Sequence, residues 1–302
     1  MRRKTQLHEG RFPPMTPPIL HNAADLLARY DVLLCDIWGV VHDGRTAYAA
    51  AGEALARFRA GGGTVILVSN VPTPAGNVER VLESMHVRRD AWDAIVAGGD
   101  IALAHIAEKG YRRLHWVGPY KRDRALFDRA PGPSAPIEEA DAILCSGLVD
   151  DINETPETYH PLLKAALARK LPFVCANPDY VVDVGETRHW CAGALAADYE
   201  RMGGDVYWGG KPYLPAYKTG REKAAELRGR MPELSRILGV GDTTRTDLAA
   251  ARTLGCDALF IAAGIHREVV MQGEEIDPKG LAELFAAPDA PPAVAAMSYL
   301  RW

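Results

Sequence analysis

The sequence predicts an α/β protein built on a doubly wound parallel sheet. Its 302 residues, 48% of them hydrophobic, are enough to bury a large core and to form two domains. Short apolar runs alternate with segments of helical periodicity along most of the chain. This alternation of strands and helices is typical of a parallel sheet covered by helices on both faces.

Eight apolar runs have the length expected of buried strands. They are VLLCDI (32–37), TVILVS (64–69), DAIVA (93–97), RLHWV (113–117), DAILCS (141–146), PFVCA (172–176), RILGVG (236–241) and DALFIAA (257–263). Six segments between them have helical periodicity. They are residues 49–60, 74–85, 100–109, 156–170, 216–230 and 245–255.

Composition and charge exclude several classes of protein. The net charge is −4, with 35 basic and 39 acidic residues interspersed, which argues against a nucleic-acid surface. No apolar stretch approaches the ~18–20 residues of a membrane span, and the basic N-terminus lacks the apolar segment of a signal peptide. The five cysteines have no Cys-x-x-Cys spacing, as expected for reduced thiols. We therefore expect a cytoplasmic protein that binds neither nucleic acid nor membrane.

Polar residues follow several of the predicted strands at the point where each strand ends. In an open α/β sheet, ligands bind beyond the carboxyl ends of the strands, so these residues are predicted to converge. They are Asp36, Ser69 with Asn70, and Asp242 in GDTTRTD (241–247), which runs on to Asp247 at the start of a helix. A fourth element, Lys211 in GGKP (209–212), lies just before the last helix–strand pair and is predicted to converge with them if the strands are parallel. Phosphoryl transfer through an aspartyl-phosphate needs this set: a carboxylate nucleophile, small donors, a lysine, and carboxylates for Mg²⁺.

The four motifs resemble those of the haloacid dehalogenase (HAD) superfamily, and within it the class IIA, NagD-like phosphatases. DIWGVVHDG (36–44) resembles motif one, Ser69 motif two, Lys211 motif three and GDTTRTD motif four. The long insert between Ser69 and Lys211 is similar to the α/β cap of these enzymes. The resemblance implies a Rossmann-like HAD core with a type C2 cap. The predicted parts are an N-terminal arm (1–20), a discontinuous core (21–108 and 207–302) and a cap (109–206).

The resemblance also implies roles for individual residues. Asp36, Lys211 and Ser69 are the expected catalytic residues. The expected Mg²⁺ ligands are Asp36, the main-chain carbonyl of Trp38, and Asp242, with Asp247 as a supporting acid. The expected substrate-binding residues are Trp38, Gly39, Asn70, Asn177 and Asp179. Simpler interpretations remain open, because Asn-Pro-Asp (177–179) is also a common turn sequence and Ser69 could simply cap a turn.

Trp38 is the departure from the family pattern. Family members carry an acid two residues after the nucleophile, which protonates the leaving group. An indole N–H does not titrate usefully, so Trp38 cannot replace that acid. His42 and Asp43 are candidates for an acid–base pair, although a neighbouring histidine beside a turn-stabilising Asp-Gly is the simpler interpretation. Trp38 could also stack on an aromatic ligand or pack under the cap.

Three functions fit these residues. The first is a Mg²⁺-dependent phosphatase acting on a small phosphorylated metabolite such as a sugar phosphate or a nucleotide. The second is a catalytically impaired protein that binds or senses a phospho-metabolite in the same pocket. The third is a dehalogenase, against which the metal motif GDTTRTD counts, since displacement at carbon needs no Mg²⁺. We favour the phosphatase, and we expect a homodimer formed through the cap.

Overall fold

The protein contains two parallel sheets, as seen in a computed structural model that describes residues 16–184 and 187–302. The larger sheet has six strands in the order β14-β11-β10-β1-β2-β3. Its strands are β1 (Val32–Cys35), β2 (Thr64–Ser69), β3 (Ala94–Ala97), β10 (Ile237–Gly241), β11 (Asp257–Ile261) and β14 (Ala295–Met297). The second sheet has four strands in the order β4-β5-β6-β9. Its strands are β4 (Leu114–Val117), β5 (Ala142–Cys145), β6 (Phe173–Cys175) and β9 (Val206–Trp208).

The remaining strands form two short hairpins, and helices connect the parallel strands. The hairpin strands are β7 (Val181–Val184) with β8 (Thr187–Trp190), and β12 (Met271–Gln272) with β13 (Glu275–Ile276). The helices are α1 (Ala24–Leu27), α2 (Ala49–Ala60), α3 (Ala75–Ser84), α4 (Gly98–Lys109), α5 (Tyr120–Phe127), α6 (His160–Ala168), α7 (Ala192–Arg201), α8 (Leu214–Arg228), α9 (Ala249–Leu254), α10 (Arg267–Val270) and α11 (Pro278–Phe285).

Both faces of the six-stranded sheet are buried, which explains why its strands are continuous apolar runs. On one face, Leu33 and Leu67 pack with Leu55 of α2 and Leu82 of α3. A second cluster covers the other face, where side chains of β1 and β2 meet Tyr217 of α8. Helices thus cover the two faces, and the predicted doubly wound α/β fold is confirmed.

The four-stranded sheet has a core of its own. Ile143 and Phe173 pack with Leu195 and Tyr199 of α7 in one buried cluster. Strand β9 pairs with β6 in this sheet, so the predicted boundary between residues 206 and 207 falls inside a strand. We propose that the cap ends at Trp208 and that the chain returns to the core at the GGKP segment.

The first described residues lie against the last strand at the edge of the large sheet. Residues 1–15 of the predicted N-terminal arm lie outside the described residues. Ile19 forms a bridge with Ala296 of β14, and the Leu20 N–H donates to the Ala296 carbonyl (2.8 Å). The end of the predicted arm therefore extends the edge of the core sheet. All five cysteines are free thiols, and no helix among the described residues is long and apolar enough to cross a membrane.

Candidate active site

The site lies at the carboxyl edge of the six-stranded sheet, where β1 and β10 end side by side. Asp36 follows β1 directly, and its N–H donates to the Val240 carbonyl of β10 (2.8 Å). Asp242 follows the last residue of β10. Both carboxylates are almost fully buried, with 8% and 2% of each residue exposed. Two neighbouring parallel strands therefore bring together acids that are more than 200 residues apart in the chain.

Lys211 joins two of the acids. Its Nζ donates to Asp36 Oδ1 (2.5 Å) and to Asp247 Oδ1 (2.7 Å). Asp247 lies in a single π-helical turn, Thr244–Leu248, that leads into α9. The carboxylate oxygens of Asp36, Asp242 and Asp247 approach within 4.8 Å of one another. The structure thus brings together the predicted nucleophile, lysine and acidic pair.

Burial and mutual repulsion shift the pKa values of these groups. Burial and the nearby Asp247 charge raise the pKa of Asp36, although the Lys211 ammonium opposes the shift. The same two causes raise the pKa of Asp242 to about 7. Burial lowers the pKa of Lys211, but the charges of Asp247 and Asp36 raise it by more, so the ammonium stays charged. The site thus holds three buried carboxylates beside the single ammonium of Lys211, so its net charge is negative when all of them are ionised.

Small residues allow the loops to close around Asp242. Gly39 has a φ of +82°, a conformation that favours glycine, and a Cβ at this position would overlap the Asp242 carboxylate. A Cβ on Gly264 would overlap the same carboxylate. Asp242 Oδ2 accepts from the Ile265 N–H (2.7 Å), and Oδ1 accepts from the Thr243 hydroxyl (3.0 Å). The loop after β11 that supplies Gly264 and Ile265 was missed by sequence reasoning, although a glycine directly after an apolar strand was available as a signal.

A divalent cation fits this arrangement. The donors are carboxylate oxygens held close together, which is the ligand type that Mg²⁺ prefers. Three carboxylates less one ammonium leave two negative charges when all are ionised. Lys211 contacts Asp36 and Asp247, so Asp242 is the acid whose charge the lysine does not pair. The carboxylates that could hold the ion are Asp36 and Asp242, with Asp247 behind them.

Ser69 ends β2, the other neighbour of β1, and Asn70 follows it, but their side chains have protein partners. The Ser69 hydroxyl accepts from the Val71 N–H (3.3 Å), as in a turn cap. Asn70 Oδ1 accepts from the Lys211 N–H (2.7 Å), and Nδ2 donates to the Lys211 carbonyl (3.0 Å). Asn70, predicted to bind the substrate, therefore holds the backbone of Lys211 in this structure.

The cap reaches the site through its Asn-Pro-Asp turn. Asn177 Oδ1 accepts from the Asp179 N–H (3.1 Å), which is turn chemistry. Asp179 Oδ1 accepts from Asn70 Nδ2 (2.9 Å) across the boundary between cap and core. Desolvation raises the pKa of Asp179, while the Asn70 hydrogen bond and the Lys211 charge oppose the shift. Both predicted cap residues thus lie beside the site, with their side chains bound to protein groups.

In the loop after Asp36, polar side chains accept hydrogen bonds from main-chain N–H groups of the same loop. His42 Nδ1 accepts from the Gly44 N–H (2.9 Å), and burial lowers the pKa of His42. The Asp43 carboxylate accepts from the N–H groups of Arg45 (2.8 Å) and Thr46 (2.7 Å). Desolvation raises the pKa of Asp43, but these N–H groups lower it overall. A neutral histidine and a stabilised carboxylate suit a structural turn better than an acid–base pair.

Trp38 lies on the outer side of the same loop. It is 39% exposed, and its Nε1 lies 2.9 Å from the point that a Cβ on Gly44 would occupy. The positive φ of Gly44 (+88°) and the absence of a side chain there let the indole lie on the turn. The indole is therefore supported by its own loop and keeps an accessible surface.

Comparisons with known proteins agree with this geometry. A family model described as haloacid dehalogenase-like hydrolase matches residues 33–129, and one described as HAD-hydrolase-like matches residues 208–287. No curated protein matched the chain. Two solved structures, each 21% identical, share the fold. One is a 4-nitrophenylphosphatase from Thermotoga maritima (TM-score 0.66; 91% of this chain and 96% of that chain covered), and the other a putative NagD protein (0.60; 82% and 93%).

A third solved structure is more similar. It is a hydrolase of the haloacid dehalogenase-like family from Brucella suis 1330, with a TM-score of 0.79. The match covers 93% of this chain and 99% of that chain at 38% sequence identity. The resemblance predicted from the four motifs is confirmed, and the chain belongs to the haloacid dehalogenase-like hydrolases.

Proposed function

We propose that this hydrolase is a Mg²⁺-dependent phosphatase that acts on a small phosphorylated metabolite, a sugar phosphate or a nucleotide. The observation that carries the proposal is the Lys211 ammonium, buried between Asp36 and Asp247 with Asp242 beside them. A buried lysine in contact with a carboxylate nucleophile suits an anionic group that must be held against that nucleophile. The shared fold of the Thermotoga maritima 4-nitrophenylphosphatase supports the same chemistry.

The first chemical step uses the carboxylate of Asp36. One of its oxygens attacks phosphorus, and the bond from phosphorus to the ester oxygen breaks, so that the phosphoryl group is carried on Asp36. In this proposal Lys211 balances charge on the phosphoryl oxygens, and the Ser69 hydroxyl donates to one of them. Mg²⁺, held by Asp36, Asp242 and the Trp38 carbonyl, would supply further charge neutralisation. Water then attacks phosphorus and loses a proton to solvent, and the bond from phosphorus to the Asp36 oxygen breaks, which releases phosphate and regenerates the carboxylate.

In this proposal the leaving group receives little proton help from the loop after the nucleophile and takes its proton from solvent. Trp38 offers no titratable group, Asp43 is held by N–H groups of the turn, and burial lowers the pKa of His42, whose Nδ1 is held in the turn. General acid help is typically worth ~10²–10⁴ in rate. We therefore propose that esters with weakly basic leaving groups are cleaved best, and that the accessible Trp38 indole contacts the part of the substrate beyond the phosphate.

The same observations favour a second function. A protein that keeps Lys211 and the acidic cluster but lacks the acid could bind a phospho-metabolite without turning it over. Both functions require anion binding at Lys211, and they differ in turnover alone. A binding protein would release no phosphate even from an ester with a good leaving group.

One experiment separates the two functions. Phosphate release is measured with and without Mg²⁺ across a panel of sugar phosphates, nucleotides and 4-nitrophenyl phosphate. The blank is Asp36→Asn, which keeps the shape of the side chain and removes the nucleophile. The phosphatase predicts Mg²⁺-dependent release that the blank abolishes. Release that survives in Asp36→Asn, or wild-type protein that binds phosphate but releases none, would contradict it.

A further inference from the structure

The Asn70 side chain hydrogen-bonds to two other parts of the protein. Its Oδ1 accepts from the Lys211 N–H, and its Nδ2 donates to both the Lys211 carbonyl and Asp179 Oδ1. Asn70 is 6% exposed. These bonds join the core after β2, the returning segment at Lys211 and the cap turn at Asp179. Asp179 and Lys211 are 109 and 141 residues from Asn70 along the chain, so only the tertiary structure brings them together.

The partners fix which way the Asn70 amide points. A backbone N–H can only donate, so the Lys211 N–H requires Oδ1 on its side. A carboxylate can only accept when ionised, so Asp179 requires Nδ2 on the opposite side. The orientation that satisfies Asp179 is therefore the one that binds both the N–H and the carbonyl of Lys211.

The backbone around Lys211 is also enclosed. A Cβ on Gly210 would lie 2.5 Å from Asn70 Oδ1 and 2.7 Å from Pro178 Cδ. The segment before Lys211 thus passes between the core asparagine and the cap turn with no room for a side chain. Movement of the cap turn would release this segment on one side.

The cap turn has a second contact with the core. The Arg245 guanidinium lies 5.6 Å from the centre of the Tyr180 ring, within the range of a cation–π interaction. Arg245 belongs to the π-helical turn that carries Asp247. One cap turn, residues 177–180, therefore contacts the supports of both the lysine and the acidic cluster.

We propose that Asn70 is a positioning residue that couples the cap to Lys211, and that Asp179 is its partner in the cap. When the cap turn lies against the core, Asp179 accepts one of the three hydrogen bonds that hold the Asn70 amide, and the amide holds the Lys211 backbone so that Nζ lies between Asp36 and Asp247. When the cap turn moves away, the amide loses this bond, and Lys211 is held less firmly. The activity readout of this proposal rests on the proposed phosphatase function.

Variants that interchange amide and carboxylate test the coupling. Asn70→Asp places a carboxylate against Asp179 and removes both donated hydrogen bonds. We expect kcat on 4-nitrophenyl phosphate to fall at least about tenfold. The loss of each hydrogen bond and the repulsion between the two carboxylates each account for a substantial part of this decrease. Asp179→Ala should also lose activity, because it leaves Asn70 Nδ2 without its acceptor in the cap.

The double variant Asn70→Asp/Asp179→Asn gives the decisive comparison. The new asparagine can donate to the new aspartate, which restores the hydrogen bond between cap and core, while the Lys211 carbonyl still lacks its donor. This variant should therefore recover part of the activity that Asn70→Asp loses. Controls are Asn77→Asp on α3 and Asp128→Asn in the cap, which make the same chemical changes at sites distant from Lys211. A double variant as poor as Asn70→Asp would show that Asn70 acts independently of the cap, and would overturn the proposal.

Hydrogen–deuterium exchange provides a readout that needs no turnover. Amides of residues 209–213 should exchange faster in Asn70→Asp and Asp179→Ala than in wild type, and should regain protection in the double variant. If wild type releases no phosphate, the phosphatase function fails while exchange still tests the coupling. Unchanged exchange in both single variants, or no recovery in the double variant, would overturn the coupling whatever the activity.

Discussion

The metal-free protein should become more stable when Asp242 is replaced by Asn. The folded-state pKa of Asp242 is raised from 3.8 to about 7 by burial and by Asp247. Each step of one in pKa corresponds to about 1.4 kcal/mol, so the ionised side chain opposes folding by at most about 4 kcal/mol above pH 7. An asparagine keeps an acceptor for the Ile265 N–H, and the Thr243 hydroxyl can turn from donor to acceptor.

The sign of the pH dependence follows from proton binding. Between about pH 4 and pH 7 the folded protein binds a proton at Asp242 that the unfolded chain has lost, so wild-type stability falls as the pH rises through this window. Asp242→Asn removes this loss. The gain in stability should be near zero at pH 4, about 1–2 kcal/mol at pH 5 and largest at pH 8.

Urea unfolding with EDTA at pH 4, 5 and 8 measures the effect, with the exposed Asp128→Asn as a control for the chemical change. With Mg²⁺ the order should reverse, because wild type gains binding free energy that the variant cannot. A metal-free Asp242→Asn protein less stable than wild type at pH 8 would refute the reasoning. So would a gain that is the same at pH 4 and pH 8, since the carboxylate would then not be the cause.

Two further predictions concern the loop after the nucleophile. Trp38→Asp should raise the turnover of alkyl phosphates by up to ~10²-fold and that of 4-nitrophenyl phosphate by less, because only alkyl leaving groups need the restored acid. A loss of turnover with both esters in steady-state assays would instead indicate that the indole contacts the substrate. Gly39→Ala should weaken Mg²⁺ binding, measured by calorimetry, because its Cβ would overlap Asp242. Gly62→Ala has a similar φ (+88°) with nothing within 4 Å of the new Cβ, so it should cost about 1 kcal/mol of stability and leave Mg²⁺ binding intact.

Much of the fold could be predicted because its signals are local. All eight apolar runs form strands, and their alternation with helices was enough to predict a sheet that is buried on both faces. The strands that were missed are short. Strand β14 is Ala-Ala-Met at the edge of the sheet, and β9 has three residues. Neither is long enough to show a period, so each is defined by its hydrogen-bonding partner rather than by its own sequence.

The sequence alone determined that the acids after the strands meet at the site. Asp36 and Asp242 each follow a buried strand, and parallel strands end at a common edge, so their convergence follows from the fold class. The tertiary structure decided what each side chain does there. Asn70 binds the Lys211 backbone and Asp179, and the Ile265 N–H binds Asp242. These contacts join segments that are far apart in the sequence, and local periodicity does not show that such segments meet. Hydrogen bonding depends on the direction of each side chain and on its placement to within less than an ångström.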